Sequence, residues 1–282
     1  MNHKVKDLKK VSFGIATMFG LYWTYSCFIK QHLPIADGFK TILGLVILYI
    51  LGLGLFIYIT HKIPVQKYKK RKISFPSILL CFLLQFTSIL VLTVIGNVST
   101  ALSGHNTSTT LDTTSPYMLF MLLIFNPIME EFVFRKLFAD KLLKYGERFY
   151  ILVSSFCFAI VHGVSLGIPQ IVYTFILGMI WSYLMVKTGD ITLVIIMHAL
   201  SNLFGSIILQ TLLGVSTIAA GLYSMLLLLL GIIGLILFFI NKKKIVLDGD
   251  TGIVRKTIIK DMLTNKGIIF YITLTVIVML LK

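Results

Sequence analysis

The sequence predicts an all-α fold: a polytopic bundle of about eight to nine transmembrane helices with a cytoplasmic N-terminus. Three observations lead there. Of the 282 residues, 57% are hydrophobic and only 13% charged, and mean hydropathy is +0.94; soluble domains carry roughly 25% charged residues. The apolar residues gather in blocks close to the ~20 residues that cross a ~30 Å hydrocarbon core as a helix. The basic residues collect between alternate blocks.

In order, the blocks are 11–29, 41–60, 75–96, 117–134, 149–162, 168–186, 191–213, 217–240 and 267–281. The first has no convincing cleavage site after it and reads as a retained span. The fifth is short for a crossing. Residues 191–240 contain no Asp, Glu, Lys or Arg; as one helix they would be about 75 Å long, so they must form two spans, with the turn at Gly214 and Ser216. Residues 97–116, rich in Ser and Thr and free of Lys and Arg, read as a flexible external loop with sequons at Asn97 and Asn106. Residues 241–266 read as a polar cytoplasmic linker before an accessory last span. Three parts result: 1–116 with three spans, 117–213 with the residues that carry chemistry, and 214–282 with the last spans.

Net charge is +15. Lys4, Lys6, Lys9 and Lys10 precede the first block, and Lys62 to Lys72 follow the second. Lys136, Lys141, Lys144 and Arg148 follow the fourth, Lys187 the sixth, and Lys242 to Lys244 the eighth. If all nine blocks cross, every cluster lies on the side of the N-terminus, which the positive-inside rule makes the cytoplasm. Basic loops against an anionic leaflet account for the charge better than a nucleic-acid partner does, and no aromatic interleaving suggests base stacking. Cys27, Cys81 and Cys157 are scattered in apolar blocks and form neither a disulfide framework nor a metal signature.

Against this background a few polar groups stand out. Glu130, Glu131 and Arg135 close the fourth block, His162 closes the fifth, and His198 and Asn202 lie inside the seventh. An ionisable group in hydrocarbon costs roughly 2.5–3.5 kcal/mol on insertion scales, so such groups face each other or a water-filled cavity. Pro127 has no N–H for Leu123, which predicts a kink just before the carboxylates. Glu131 and Arg135 are four apart and share a helix face, while Glu130 points about 100° away. His198 and Asn202 also share a face. Each piece alone has a plainer reading: boundary charges for the glutamates, core or inter-helix hydrogen bonding for the histidines and Asn202. Together, two carboxylates, two imidazoles and a carboxamide on three spans suit water activation and oxyanion stabilisation. One geometric condition follows. Glu130 falls near one end of its block and His162 toward the opposite end of a short one. The fourth helix must therefore run deeper than its apolar block, or the fifth must start near Ser154.

The ordered set Glu-Glu-x-x-x-Arg, Phe-x-x-x-His and His-x-x-x-Asn resembles the CPBP family of CAAX proteases and bacteriocin-processing enzymes, also called the Abi family. The resemblance covers about residues 117–213. It implies an intramembrane endopeptidase acting on a membrane-associated peptide or protein. Glu130 would be the general base, assisted by His162. His198 and Asn202 would stabilise the oxyanion, and Glu131 and Arg135 would support the site. Relatives remove the last three residues of prenylated CAAX proteins, process leader peptides or give immunity to bacteriocin-like peptides. The preferred mechanism needs no cofactor. A metalloendopeptidase with a divalent metal such as zinc on Glu130, His162 and His198 is the alternative, although no His-Glu-x-x-His is present. The chain's small size suggests a multi-pass protein of a bacterial plasma membrane. A non-proteolytic immunity or scaffold protein is the competing reading. A small transporter or proton relay would need paired broken helices, and no such repeat is found.

Overall fold

The computed structural model describes residues 3–68, 70–103, 115–245, 247 and 252–281. Among them all regular secondary structure is helical. The helices are α1 (His3–Thr24), α2 (Asp37–Thr60), α3 (Phe75–Ser103), α4 (Pro116–Tyr145), α5 (Glu147–Val164), α6 (Gly167–Thr188), α7 (Ile191–Val215), α8 (Thr217–Asn241), α9 (Gly252–Leu263) and α10 (Lys266–Leu281). The helices α2 to α8, with α3 counted over Phe75–Asn97, are the seven long and apolar enough to cross a membrane; the bent pair Thr257–Leu263 and Lys266–Leu281 makes an eighth. The polytopic all-α bundle expected from the sequence is what forms. The first predicted block covers most of α1 and the wide turn Tyr25–Ile29 after it; α1 packs inside the bundle although five of its first eight residues are charged, and it is not among those candidate spans.

The turns follow from local chemistry. Gly146, at φ +111°, links α4 to α5, a conformation that side-chain-bearing residues avoid. Gly167, at φ +78°, breaks α5 from α6 two residues before Pro169. Asp190 caps α7 by accepting from the Thr192 amide at 3.1 Å. Ser216 leaves helical geometry and caps α8 through the Ala219 amide at 3.3 Å, at the expected turn. Two expectations are revised. Residues 97–103 continue α3 rather than starting a loop, and 252–263 form α9 inside the expected linker. Asn106 lies outside the described residues.

The fifth helix is the central post: 67% of its span is buried, against 17–44% for the others. It packs against α1, α4, α6 and α10, and the Tyr271 hydroxyl of α10 donates to its Cys157 carbonyl at 2.9 Å. Outward faces of α2 and α8 expose Ile50, Leu222 and Met225, as a lipid-facing surface requires. On its inner side α8 lies against α3 at Gly231 and Gly234, where an added Cβ would come within 2.7 Å of the Phe86 and Leu83 backbone.

The basic clusters meet at one end of the bundle. Gln66 donates its amide to the Asp140 carbonyl at 2.8 Å, and Arg71 to the Thr188 carbonyl at 2.7 Å. Lys144 pairs with Asp7 at 2.9 Å, Lys4 with Asp261 at 2.5 Å, and Lys70 with Asp190 at 3.1 Å. Burial opposes the charge on Asp190, but the Lys70 and Thr192 bonds outweigh it and hold the carboxyl below its ordinary range.

Candidate active site

Two hairpins bring the polar residues to one level. Around Gly146, Glu130 and His162 are each sixteen residues away (146 − 130 and 162 − 146). At 1.5 Å per residue both lie about 24 Å up antiparallel helices, hence side by side. The condition set by the sequence is met because α4 runs to Tyr145, well past its apolar block. Its last turns bury Phe138 and Leu142 while Lys136 pairs with Asp140 at 2.6 Å, so a charged stretch remains helical. Around Asp190, Trp181 lies nine residues before and His198 eight after, which puts those two rings opposite one another.

The carboxylate of Glu130 is the point of convergence. His162 Nε2 and His198 Nε2 each lie 3.8 Å from Glu130 Oε2. That is too long for a hydrogen bond and short enough for one water to bridge. The other nitrogen of each ring is engaged. His162 Nδ1 lies 2.9 Å from the Phe158 carbonyl, and His198 Nδ1 lies 2.8 Å from Glu131 Oε1. Those partners select the Nδ1–H form and turn Nε2 toward Glu130. The side chains of Glu130 and His162 keep 18% and 24% exposure, whereas Glu131 and Arg135 are wholly sealed. Exposure thus separates an accessible pair from a buried support.

That support is an ionic chain. Glu131 Oε2 lies 3.0 Å from Arg135 Nε, four residues on, while its other oxygen holds His198. The Arg135 guanidinium lies over the Phe158 ring at 4.6 Å and near Trp181 at 5.6 Å. A cation on two aromatic faces recovers part of the solvation lost on burial. The Ser154 and Tyr150 hydroxyls of α5 donate to the carbonyls of Phe134 and Arg135, fixing the wide turn at Phe132–Leu137.

Asn202 has a partner that the sequence did not foretell. In the wide turn Met121–Phe125 the Asn126 amide reaches back to Met121. The next carbonyl in that register is Leu122, and Pro127 has no N–H to give it. Asn202 Nδ2 donates to it instead, at 2.8 Å. The carbonyl freed by Pro127 is therefore that of Leu122, not Leu123, and Asn202 ties α7 to the wide turn just before Pro127. Its second N–H stays available.

Sequence reasoning also missed Gln85 and Trp181. The Trp181 indole stacks on His198, centroids 4.1 Å apart at 20°. Its Nε1–H donates to Gln85 Oε1 at 2.8 Å, and both residues are buried. Gln85 stands alone in the apolar run of α3 without a motif around it; one amide inside a predicted span was the only available signal. Gln85→Leu should cost about 1–3 kcal/mol by orphaning the indole N–H. Thermal unfolding of a double-mutant cycle checks this: Trp181→Phe added to Gln85→Leu should recover much of the loss, since phenylalanine brings no donor.

Among the described residues, no group of three or more His, Cys, Asp or Glu is placed to hold a metal ion. As they stand, the donors do not make a closed metal site, and no step below runs through one.

A family model for type II CAAX prenyl endopeptidases, described as Rce1-like, matches residues 112–204. No curated protein and no solved structure matches the chain. The matched segment holds Glu130, Glu131, Arg135, His162, His198 and Asn202, and excludes Gln85. Residues 112–204 are thus similar to the CPBP family of CAAX-type endopeptidases, and they lie in a bundle of helices long and apolar enough to cross a membrane.

Proposed function

We propose that this protein is an intramembrane endopeptidase that hydrolyses a peptide bond of a membrane-associated peptide or protein, with Glu130 activating the water. The observation that carries the reading is the convergence of two imidazole Nε2 atoms on one Glu130 oxygen, each at 3.8 Å. A water between Glu130 and His162 gives its proton to Glu130 while its oxygen bonds to the scissile carbonyl carbon. The carbonyl oxygen takes the negative charge. His198 and Asn202 stabilise it, Asn202 through its second N–H. Glu130 then passes the proton to the departing amine as the oxyanion re-forms the carbonyl and the C–N bond breaks, which releases a carboxylic acid and an amine and restores the Glu130 carboxylate.

His198 is held by the Glu131 carboxylate 2.8 Å from its Nδ1. The ionic chain then has a second purpose: it holds the His198 ring in one orientation. The end that gathers the basic clusters faces the cytoplasm in this reading, in a bacterial plasma membrane.

The substrate class that the family suggests is a prenylated protein ending in a CAAX sequence; a leader or bacteriocin-like peptide is the other class within reach of the same site. Purified protein in liposomes, given a farnesylated CAAX-terminated peptide and separately a non-prenylated leader peptide, tests the reading. Release of a C-terminal tripeptide from the first identifies a CAAX-type activity. Internal cleavage of the second identifies a processing peptidase. Strong chelators should leave either rate unchanged, and loss of activity restored by zinc would replace this mechanism with a metal-dependent one. Cleavage of neither peptide would count against both substrate classes.

A further inference from the structure

A cavity of about 380 Å³ opens at the basic end of the bundle, away from Glu130. Its walls come from the segment between α2 and α3, the α4–α5 turn and the end of α6. Gln66, Lys67, Tyr68 and Arg71 form one side, and Lys144 and Glu147 another, with Leu143 and Val186 as apolar lining.

The charges are unequally satisfied. Lys144 is paired with Asp7 at 2.9 Å, and Glu147 with Lys187 at 2.7 Å. Lys67 and Arg71 are exposed and make no ion pair among the described residues. Gln66 Oε1 is sealed from solvent without an aligned hydrogen-bond partner, and the Tyr68 hydroxyl is engaged by the Asp140 carboxylate. The cavity thus presents two unneutralised cations. The segment that carries them is held in place. Beyond the Gln66 and Arg71 amide bonds and the Lys70–Asp190 pair described above, Lys141 donates to the Ile63 carbonyl at 2.9 Å. Such anchoring pre-forms the site, so little ordering is needed on binding.

We propose that this cavity binds the phosphate of an anionic phospholipid headgroup. The ligand chemistry follows from the walls. Two cations, one of them a planar guanidinium, match phosphate oxygens. Leu143 and Val186 suit the apolar part of the lipid. The location follows from the fold: the lining residues sit at the ends of four spans, where headgroups lie, and basic pockets between such ends take anionic lipids. A bound headgroup would join the 61–74 segment to the α4–α5 turn, from which Glu130 and His162 take their register.

The experiment uses the full chain, reconstituted in mixed phosphatidylglycerol and phosphatidylcholine nanodiscs, then extracted mildly and examined by native mass spectrometry for retained lipid. The wild type should retain phosphatidylglycerol selectively. Lys67→Gln/Arg71→Gln should lower that retention about thirty-fold, at roughly five-fold per cation. Lys62→Gln/Lys72→Gln removes the same net charge from the same segment outside the cavity and should retain the lipid; if it loses lipid equally, bulk charge explains the binding and the proposal fails. Equal retention by the wild type and the Lys67/Arg71 variant overturns it as well. A third arm separates the sources of phosphate: inorganic phosphate that raises the melting temperature of lipid-free wild type, but not of the variant, and that displaces the lipid, assigns the cavity to a soluble anion instead. None of these readings depends on proteolysis.

Discussion

Arg135→Leu should destabilise the folded protein by about 3–5 kcal/mol, the usual cost of leaving one partner of a buried ion pair behind. Arg135 and Glu131 are both fully sealed, with Nε and Oε2 3.0 Å apart. Without the guanidinium, Glu131 keeps only His198 to balance its charge, and the space over Phe158 and Trp181 loses its cation. Thermal unfolding in detergent reads the change. The double variant Glu131→Gln/Arg135→Met should regain most of the loss: no unpaired charge stays inside, and the glutamine oxygen still accepts from His198 Nδ1–H. A single variant that melts with the wild type would show that the pair is solvated in the membrane, against the burial found here.

Glu130→Gln should behave in the opposite way, with the fold kept and the chemistry lost. Glutamine has the same shape, and the Glu130 side chain retains 18% exposure without a direct hydrogen bond, so the melting temperature should hold. A carboxamide does not accept the proton from water, and removing a general base lowers turnover by about 10²–10⁴-fold. Because that proton transfer occurs only on the way to the transition state, kcat and kcat/KM should fall together, with KM little changed. His162→Ala should lower turnover less, since Glu130 still receives the proton. An equal or larger loss in the histidine variant would move the base from Glu130 to His162.

The fold was legible where apolar length decides it. Residues 191–240 had to turn once, and Ser216 does so with a cap. Extent was misread wherever polar residues sit on helices. Lys136, Asp140, Lys141 and Lys144 look like a loop by hydropathy, yet they close α4, whose inner face carries Phe134, Phe138 and Leu142. Those extra turns are what set Glu130 level with His162. Within the site, the Glu131–Arg135 face was legible from its spacing of four, and the Glu130, His162 and His198 grouping from their rarity inside apolar blocks. The Gln85–Trp181 bond was not, because it joins residues 96 apart in the sequence. Neither was the Asn202–Leu122 bond, because it depends on a wide helical turn that changes which carbonyl Pro127 leaves free.

The central claim is that Glu130 makes this chain a protease rather than a scaffold of the same fold. Mass spectrometry of peptide termini, in membrane and secreted fractions of cells making wild type or Glu130→Gln at matched membrane levels, tests it most directly. The expected result is a set of termini present with the wild type and gone with the variant, and those termini name the substrate. Identical termini in both, with any cellular phenotype kept by the variant, would contradict it and leave a non-proteolytic membrane protein in its place.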